Sequence, residues 1–336
     1  MNKRSHFADF ILDGKRVLGY NSYSGMRAFL FVFLSLFVLL PAWADVLPLD
    51  DALRATYSAC VGIDDELAEL KKMAGINTAV TGVGTAVNTG ATVVGIVKAN
   101  KDKQAEELER LIKELSEMED DQESPTDEQI AEWGREFNQS YESAKSVETL
   151  TQKLDKLNKQ SKSLGNWRTG LMAGGTVTNV AGAIIAGTNK VDADLQTQID
   201  NCKASVRNLR DSIMQARING VDVTEANAIA SACGEYDYVD ISPINKRATG
   251  AMISSIVGAT TGAAGTVTSA IANTDATRND NSDAGKQKEK NLNTASNVLA
   301  GASTVASATA TVFNATQISA IKKVATVAAV CTGVLK

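Results

Sequence analysis

The chain has 336 residues, of which 44% are apolar and 22% charged, and its formal net charge at pH 7 is −5. The single histidine, His6, lies in an N-terminal segment that we expect to be cleaved. The mature chain would then lack the imidazole that Ser-His-Asp catalysis, Cys-His catalysis and histidine-ligated zinc sites require. An acidic chain without a basic patch is also a poor candidate for nucleic-acid binding.

The first 44 residues have the pattern of a secretory signal peptide. Residues 29–40 form an apolar run that follows Arg27 and precedes the sequence Ala-Trp-Ala. A basic flank, a short apolar core and a small-residue cleavage motif are typical of cleaved signal peptides, and a spanning helix needs about 20 apolar residues. We expect cleavage before Asp45 and export to a bacterial periplasm or the cell exterior. An uncleaved anchor is the alternative, and Met26 is an alternative translation start.

Four cysteines remain after the leader. An even number of cysteines in an oxidising compartment predicts two disulfides. We favour the pairing of Cys202 with Cys233 across a local turn, and of Cys60 with Cys331 across the two ends of the mature chain. The other pairings stay open, as do four buried thiols.

Residues 45–190 are predicted to form a long antiparallel coiled-coil hairpin with its tip near residues 120–126. Apolar residues recur there at alternating steps of three and four, which is typical of a coiled-coil seam. The first seam contains Ile76, Val80, Val83, Val87, Gly90, Val94, Val97, Leu108 and Leu111. The second contains Leu150, Leu154, Leu157, Ser161, Leu164, Arg168, Leu171, Gly175, Thr178, Gly182 and Ile185.

The outer part of this hairpin is strongly acidic. Residues 101–160 contain 17 acidic and nine basic residues, a pattern that favours a solvated coiled-coil face. Trp133, Phe137 and Tyr141 follow one another at one-turn spacing near the tip. Core packing is the ordinary explanation of these aromatic residues, and contact with a partner or a membrane is the alternative.

Residues 191–245 are predicted to form a short helical hairpin and an irregular crossing. A third seam predicts an amphipathic helix that ends at the turn Asn219-Gly220, and a shorter helix runs from Val223 to about Ala232. The seam residues are Leu195, Ile199, Cys202, Val206, Leu209, Ile213 and Ala216. Residues 246–336 are predicted to be a pair of Ala/Gly/Thr-rich helices that closes a bundle.

Four stretches carry no charge: residues 73–97, 169–189, 248–274 and 291–321. Small residues recur in them at every fourth position, which places a flat stripe on one side of each helix. Glycine in a helix costs about 1 kcal/mol relative to alanine, so we expect close helix contacts to offset that cost. The glycines predicted at these contacts are Gly82, Gly90, Gly174, Gly182, Gly258 and Gly262.

These stretches fit two environments. We favour a water-soluble bundle, because the stretches also contain many amide and hydroxyl side chains, which make them less apolar than ordinary membrane spans. The amides are Asn77, Asn88, Asn179, Asn273, Asn297, Asn314 and Gln317. Conditional insertion into a bilayer is the second hypothesis, and a β structure stays open because Val/Thr runs favour strands.

The fold class predicted from these patterns is all-α. No group of residues has the spacing of a catalytic, metal or cofactor site, so we expect a non-enzymatic protein without a cofactor. The first functional hypothesis is an exported envelope protein that associates with itself or with another envelope protein through its helices. The alternative is a secreted, membrane-active helical protein, similar in action to pore formers, whose uncharged stretches insert into bilayers.

Overall fold

The computed structural model describes residues 47–120, 147–278, 280 and 282–335. Within these ranges the regular structure is helical and contains no strand, which confirms the all-α prediction and excludes the β alternative there. The proposed signal peptide lies outside the described residues, as do Trp133, Phe137 and Tyr141 at the predicted tip.

Outside residues 121–146, the elements follow one another along the chain with short connections. The α-helices are α1 (Leu49–Cys60), α2 (Ile63–Asp120), α3 (Val147–Thr188), α4 (Ala193–Ile218), α5 (Thr224–Ala232), α6 (Ser242–Ala272), α7 (Asp275–Arg278) and α8 (Asp283–Leu335), and a 3-10 helix spans Gly234–Tyr238. The short helix expected from Val223 to about Ala232 is therefore confirmed as α5.

The four long helices α2, α3, α6 and α8 form an antiparallel bundle. Each packs against two neighbours, in the cyclic order α2, α3, α6, α8. Contacts between helices show the relative direction of each helix. Along α2, Gly84 faces Thr178 of α3 and Gly95 faces Arg168, so the two helices run in opposite directions. This up-down-up-down arrangement places the connections alternately at the two ends of the bundle.

The bundle divides into three zones along its axis. The middle zone, called the band, consists of residues 73–97, 169–189, 248–272 and 291–321. At one end lies the head, which consists of residues 48–72, 190–247 and 322–335. At the other end lies the arm, whose described parts are residues 98–120, 147–168, 275–278, 280 and 282–290.

The head has an apolar interior of the ordinary kind. Its α1, α4 and α5 surround the ends of the long helices, and large aliphatic side chains such as Leu67, Leu209 and Ile199 are fully buried. Every residue of the third predicted seam is buried in this core, so that prediction is confirmed. Gly62 and Gly220 have positive φ values of 96° and 76° at the turns after α1 and α4, where other residues would be strained.

Two buried disulfides join the pieces of the head. Cys60 is bonded to Cys202 and Cys233 to Cys331, with Cα–Cα distances of 4.8 and 4.4 Å. The favoured pairing of Cys202 with Cys233 and of Cys60 with Cys331 is therefore wrong. The physical reason is proximity: the sulfur atoms of Cys60, Cys202 and Cys331 lie within 4.8 Å of one another, so both bridges occupy one cluster. Sequence spacing does not distinguish partners within such a cluster.

The arm also has an ordinary interior. Leu108 of α2 packs against Leu150 of α3, with Leu154 and Leu157 partly buried beside them. Away from the band, charged side chains lie on the surface, and several pair along a single helix, as in the Lys159–Asp155 contact of 2.6 Å. Exposed pairs of this kind contribute only about 0.3–0.5 kcal/mol each, so the leucines hold the described part of the arm together.

Candidate functional site

The band differs from the head and the arm because its buried positions carry small or polar side chains. On α2 these positions still alternate in steps of three and four. They are Ala74, Asn77, Thr81, Gly84, Asn88, Ala91 and Gly95. The first predicted seam is therefore wrong within the band: Val83, which it placed inside, has 56% of its surface exposed.

The same pattern holds on the other three helices. The buried residues of α3 in the band are Met172, Gly175, Asn179, Gly182, Ala186 and Asn189. Those of α6 are Ala248, Ala251, Ser255, Gly258, Gly262, Gly265, Ser269 and Ala272. Those of α8 include Ser296, Ala300, Ser303, Ser307, Ala310, Asn314 and Gln317. Apart from Met172, the four helices therefore meet at these positions through alanine, glycine, hydroxyl and amide side chains.

Polar side chains lie directly across glycines of the neighbouring helix. A Cβ atom added to Gly258 would stand 2.7 Å from Nδ2 of Asn179, and one added to Gly182 would stand 2.7 Å from Cγ2 of Thr81. The same relation joins Asn88 to Gly175, Asn273 to Gly165, Asn297 to Gly95, and Thr176 to Gly262. Each glycine thus provides the space that a neighbouring side chain fills, which offsets its helix cost.

The six glycines predicted at helix contacts fall into three groups. Gly182, Gly258 and Gly262 lie at the close contacts just described. Gly90 and Gly174 lie at ordinary van der Waals distance from Leu171 and Val87, at 3.6 and 3.7 Å for an added Cβ. Around Gly82 no atom lies within 4 Å of an added Cβ, so it is not at a close contact.

Sequence reasoning missed several close glycines. The strict four-residue ladder left out Gly84, Gly95, Gly165 and Gly265, each of which would clash with a neighbouring side chain if it carried a Cβ. The contacts alternate in steps of three and four because that spacing keeps one stripe facing the same neighbours, whereas a step of four drifts around the helix. The 3.5-residue spacing of the asparagines and glycines was the signal that would have found them.

Hydrogen bonds connect the buried polar side chains across helices. Asn88 donates from Nδ2 to Oγ of Ser307 at 2.9 Å, and Ser307 donates to Oδ1 of Asn179 at 2.8 Å. Ser303 donates to the carbonyl oxygen of Gly258 at 2.9 Å. These bonds link α2, α3, α6 and α8 at one level of the band. A second level joins Asn77 to Asn314 at 2.9 Å.

The outer surface of the band is apolar on all four helices. Its large exposed side chains include Val83, Val93, Ile96, Val177, Val180, Ile184, Ile253, Ile256, Val267, Val298, Val305 and Val312. Outward-facing threonines satisfy their hydroxyl groups on their own helix. Thr89, Thr260 and Thr309 each donate to the carbonyl oxygen four residues earlier, at 2.6 to 2.8 Å. These hydroxyls therefore do not depend on water for a partner.

Charged residues border the band at both ends. At the head end these are Lys71, Lys72, Lys190, Lys246, Arg247, Lys322 and Lys323. Arg168 at the arm end and Lys190 at the head end are 22 residues apart, or about 33 Å on a straight helix. Trp167 is exposed beside Arg168 at the arm end. Tryptophan at such a boundary is typical of a membrane–water interface.

An ionic layer closes the arm end of the band. Lys98, which is buried, lies 2.6 Å from Asp102 and 3.9 Å from Glu289, and Arg278 lies 3.8 Å from the same glutamate. Arg168 is also buried, and its Nε and Nη2 atoms have no hydrogen-bond partner among the described residues. The layer marks an abrupt change from uncharged to charged packing.

Three helical stretches are long and apolar enough to cross a membrane by length and composition. The ranges that contain them are Leu49–Glu114, Thr149–Ile218 and Asp283–Leu335, and these ranges also contain the band segments of α2, α3 and α8. The band segment of α6 is uncharged as well, but it contains more glycine, serine and threonine and is not among the three.

No protein-family model matches this chain, and no curated protein or solved structure matches it either. The function is therefore inferred from the geometry of the band.

Proposed function

We propose that this protein is a membrane-embedded helical bundle, with the band in the hydrocarbon core of a bilayer and the head and arm in water. The observation that carries the proposal is the inversion of the band, in which polar and small residues are inside and valine and isoleucine are outside. A protein folded in water buries its large apolar side chains because this removes apolar area from the solvent. The head and the arm follow that rule, and the band does not.

The energetics of the band favour lipid over water. Burial of one valine or isoleucine side chain contributes about 1.5–3 kcal/mol in water, and the band leaves a dozen such side chains between 46% and 68% exposed. In lipid that exposure costs nothing, because acyl chains are as apolar as the side chains. Helices in lipid associate through small residues and interhelical hydrogen bonds instead. The Asn/Gly contacts and the Asn88–Ser307–Asn179 hydrogen bonds are interactions of this kind.

The dimensions of the band support the same environment. A bilayer's hydrocarbon core is about 30 Å thick, close to the roughly 33 Å between Arg168 and Lys190. Backbone groups in that layer have to be satisfied internally, which continuous helices achieve. The four band segments are all continuous helix in the structure.

Of the membrane-active alternative, the proposal includes insertion into the bilayer but does not include pore formation. Asn88, Asn179, Ser303 and Ser307 meet in the interior of the band and bond to one another there. In this conformation the bundle is therefore a packed anchor, and the head and arm are the surfaces available to an envelope partner.

The first test is membrane extraction of the full chain from cells that produce it. We expect the protein in the membrane fraction after alkaline carbonate washing, and its release by detergent. Release by carbonate as a detergent-free monomer would contradict the proposal. Release as a stable soluble oligomer would contradict it too, and would support self-association through the exposed valine and isoleucine faces instead.

A charged variant of the band and a matched variant of the head make the test sharper. Val177 and Val305 lie near the middle of the band, with 68% and 67% of their surfaces exposed. A lysine at the centre of a spanning helix costs about 2.5–3.5 kcal/mol, so Val177→Lys with Val305→Lys should prevent stable insertion. The matched control is Ile218→Lys in the head, where the isoleucine is 75% exposed. The control should insert normally, and equal behaviour of the two variants would contradict the proposal.

A further inference from the structure

We infer that the head and the arm lie on opposite faces of the membrane, with the head in the oxidising compartment. This inference rests on the proposed function, because it requires the band to cross the bilayer. It assigns a compartment to each water-exposed zone, and so states where a partner of each zone has to be. Three features of the structure carry it.

The first feature is that the head cannot be divided between the two faces. It is assembled from three separate chain segments that are brought together by one apolar core. The Cys60–Cys202 bond joins the first segment to the second, and the Cys233–Cys331 bond joins the second to the third. Two covalent links and a shared core therefore hold all three segments on one side of the band.

The second feature is the alternation of the four band helices. Since they are antiparallel, α2 leaves the head and enters the arm, α3 returns, α6 leaves again and α8 returns. The arm segments contact one another as well, through the packing of Leu108 of α2 on Leu150 of α3. Surface ion pairs add contacts at this end: Lys162 of α3 lies 2.7 Å from Asp275, and Lys286 of α8 lies 3.0 Å from Glu109 of α2. Four crossings with these links put the whole described arm on the face opposite the head.

The third feature is the chemistry of the two disulfides. Disulfides form and persist in oxidising compartments and are rare where glutathione and thioredoxin keep thiols reduced. All four cysteines of the chain belong to the head and all are bonded. Basic residues border both ends of the band, so the disulfides, rather than a charge bias, fix the orientation.

The consequence concerns the partner of the arm. Residues 101–120, the acidic part of the described arm, contain eight acidic and four basic residues, and in this topology they lie in the compartment opposite the disulfides. A molecule that binds the arm therefore belongs to that compartment, whereas a molecule that binds the head belongs to the oxidising one. The bundle would connect the two across the membrane.

The test is labelling of single introduced cysteines in cells that produce the full chain, as spheroplasts where an outer membrane is present. The variants are Ile218→Cys in the head, Lys103→Cys in the arm and Val177→Cys in the band, all at exposed positions. The probes are a membrane-impermeant maleimide and a permeant one. Intact native disulfides, seen as mobility on non-reducing gels, show that each variant has folded.

We expect the impermeant maleimide to label Ile218→Cys in intact cells and Lys103→Cys only after permeabilisation, with at least a tenfold difference before that step. Val177→Cys should react much less than Ile218→Cys with either reagent. Equal labelling of the head and arm positions, or labelling of the arm alone, would overturn the topology. If Val177→Cys stays protected in that case, the embedded band survives. Rapid labelling of Val177→Cys would instead show that the band is in water, and both proposals would fail.

Discussion

The long helices α2, α6 and α8 run from the band into the head, where α1, α4 and α5 pack around them, yet the two zones bury opposite kinds of side chain. In the head, Ile199 and Leu209 are inside, together with both disulfides. In the band, Asn88 and Gly258 are inside while Val83 faces outward. Helix geometry is the same in both zones, with buried positions at alternating steps of three and four. The proposed function accounts for this difference by the medium around each zone, water for the head and lipid for the band.

The largest effect is expected in the head. Replacement of Cys60 and Cys202 by serine opens a loop with a sequence separation of 142 residues, and the loop-entropy relation gives a loss of about 4–5 kcal/mol in the free energy of unfolding. Chemical unfolding in detergent, followed by circular dichroism, measures it. The band helices should keep their signal when the head unfolds. Loss of all helical signal in one step would show that the two zones are not separate.

A pair of truncations compares the two interiors directly. Ile199→Ala removes a fully buried side chain from the head and should cost about 2–5 kcal/mol. Val83→Ala removes an outward-facing side chain from the band and should cost less than about 0.5 kcal/mol. Unfolding in detergent measures both. A cost of several kcal/mol for Val83→Ala would show that Val83 is buried, as the apolar seam expected from the sequence requires.

Two glycines of the band give opposite expectations. Gly258→Ala would displace Asn179, which bonds to Ser303 and Ser307. This should cost about 1–3 kcal/mol, and replacement of Gly258 and Gly262 by leucine should cost more. Gly82→Ala meets no atom within 4 Å and should stabilise the helix by up to about 1 kcal/mol. Unfolding in detergent measures both variants, and equal effects would remove the packing explanation.

The smallest effect concerns acid stability of the head. Burial raises the pKa of Asp237, but hydrogen bonds from Arg207 at 2.7 Å and Arg210 at 2.6 Å, with their charges, lower it below its usual value overall. The stabilisation is then complete above the unfolded pKa of about 3.9 and is lost as the pH falls through the lower folded pKa. Since both arginines are largely exposed, about 1 kcal/mol is at stake.

Asp237→Asn should remove this pH dependence, while Asp211→Asn, at an exposed position, should leave it as in the unmodified chain. Urea unfolding at pH 7 and at pH 3 measures the difference. An unchanged acid dependence in Asp237→Asn would show that the two arginines do not stabilise the charged carboxylate.

The sequence predicted the head better than the band for a physical reason. The rule that large apolar residues face inward holds in water, so the seam from Leu195 to Ala216 was identified correctly. Applied to the band, the same rule selected Val83 and missed Gly84. The uncharged composition and the repeated small residues were visible, but the sequence pattern does not say which stripe of each helix, the small or the aliphatic one, is buried. The disulfide partners were also beyond reach, because both bridges lie in one cluster.

The most direct test of the embedded band is the accessibility of nitroxide labels on the purified full chain in liposomes. Labels are placed at Val177 and Val305 in the band and at Ile218 in the head, all outward-facing positions. Oxygen concentrates in the acyl layer and a charged nickel chelate stays in water, so paramagnetic relaxation distinguishes the two media. An embedded band predicts strong oxygen and weak nickel relaxation at residues 177 and 305, with the reverse at residue 218. Equal nickel relaxation at all three positions would contradict it.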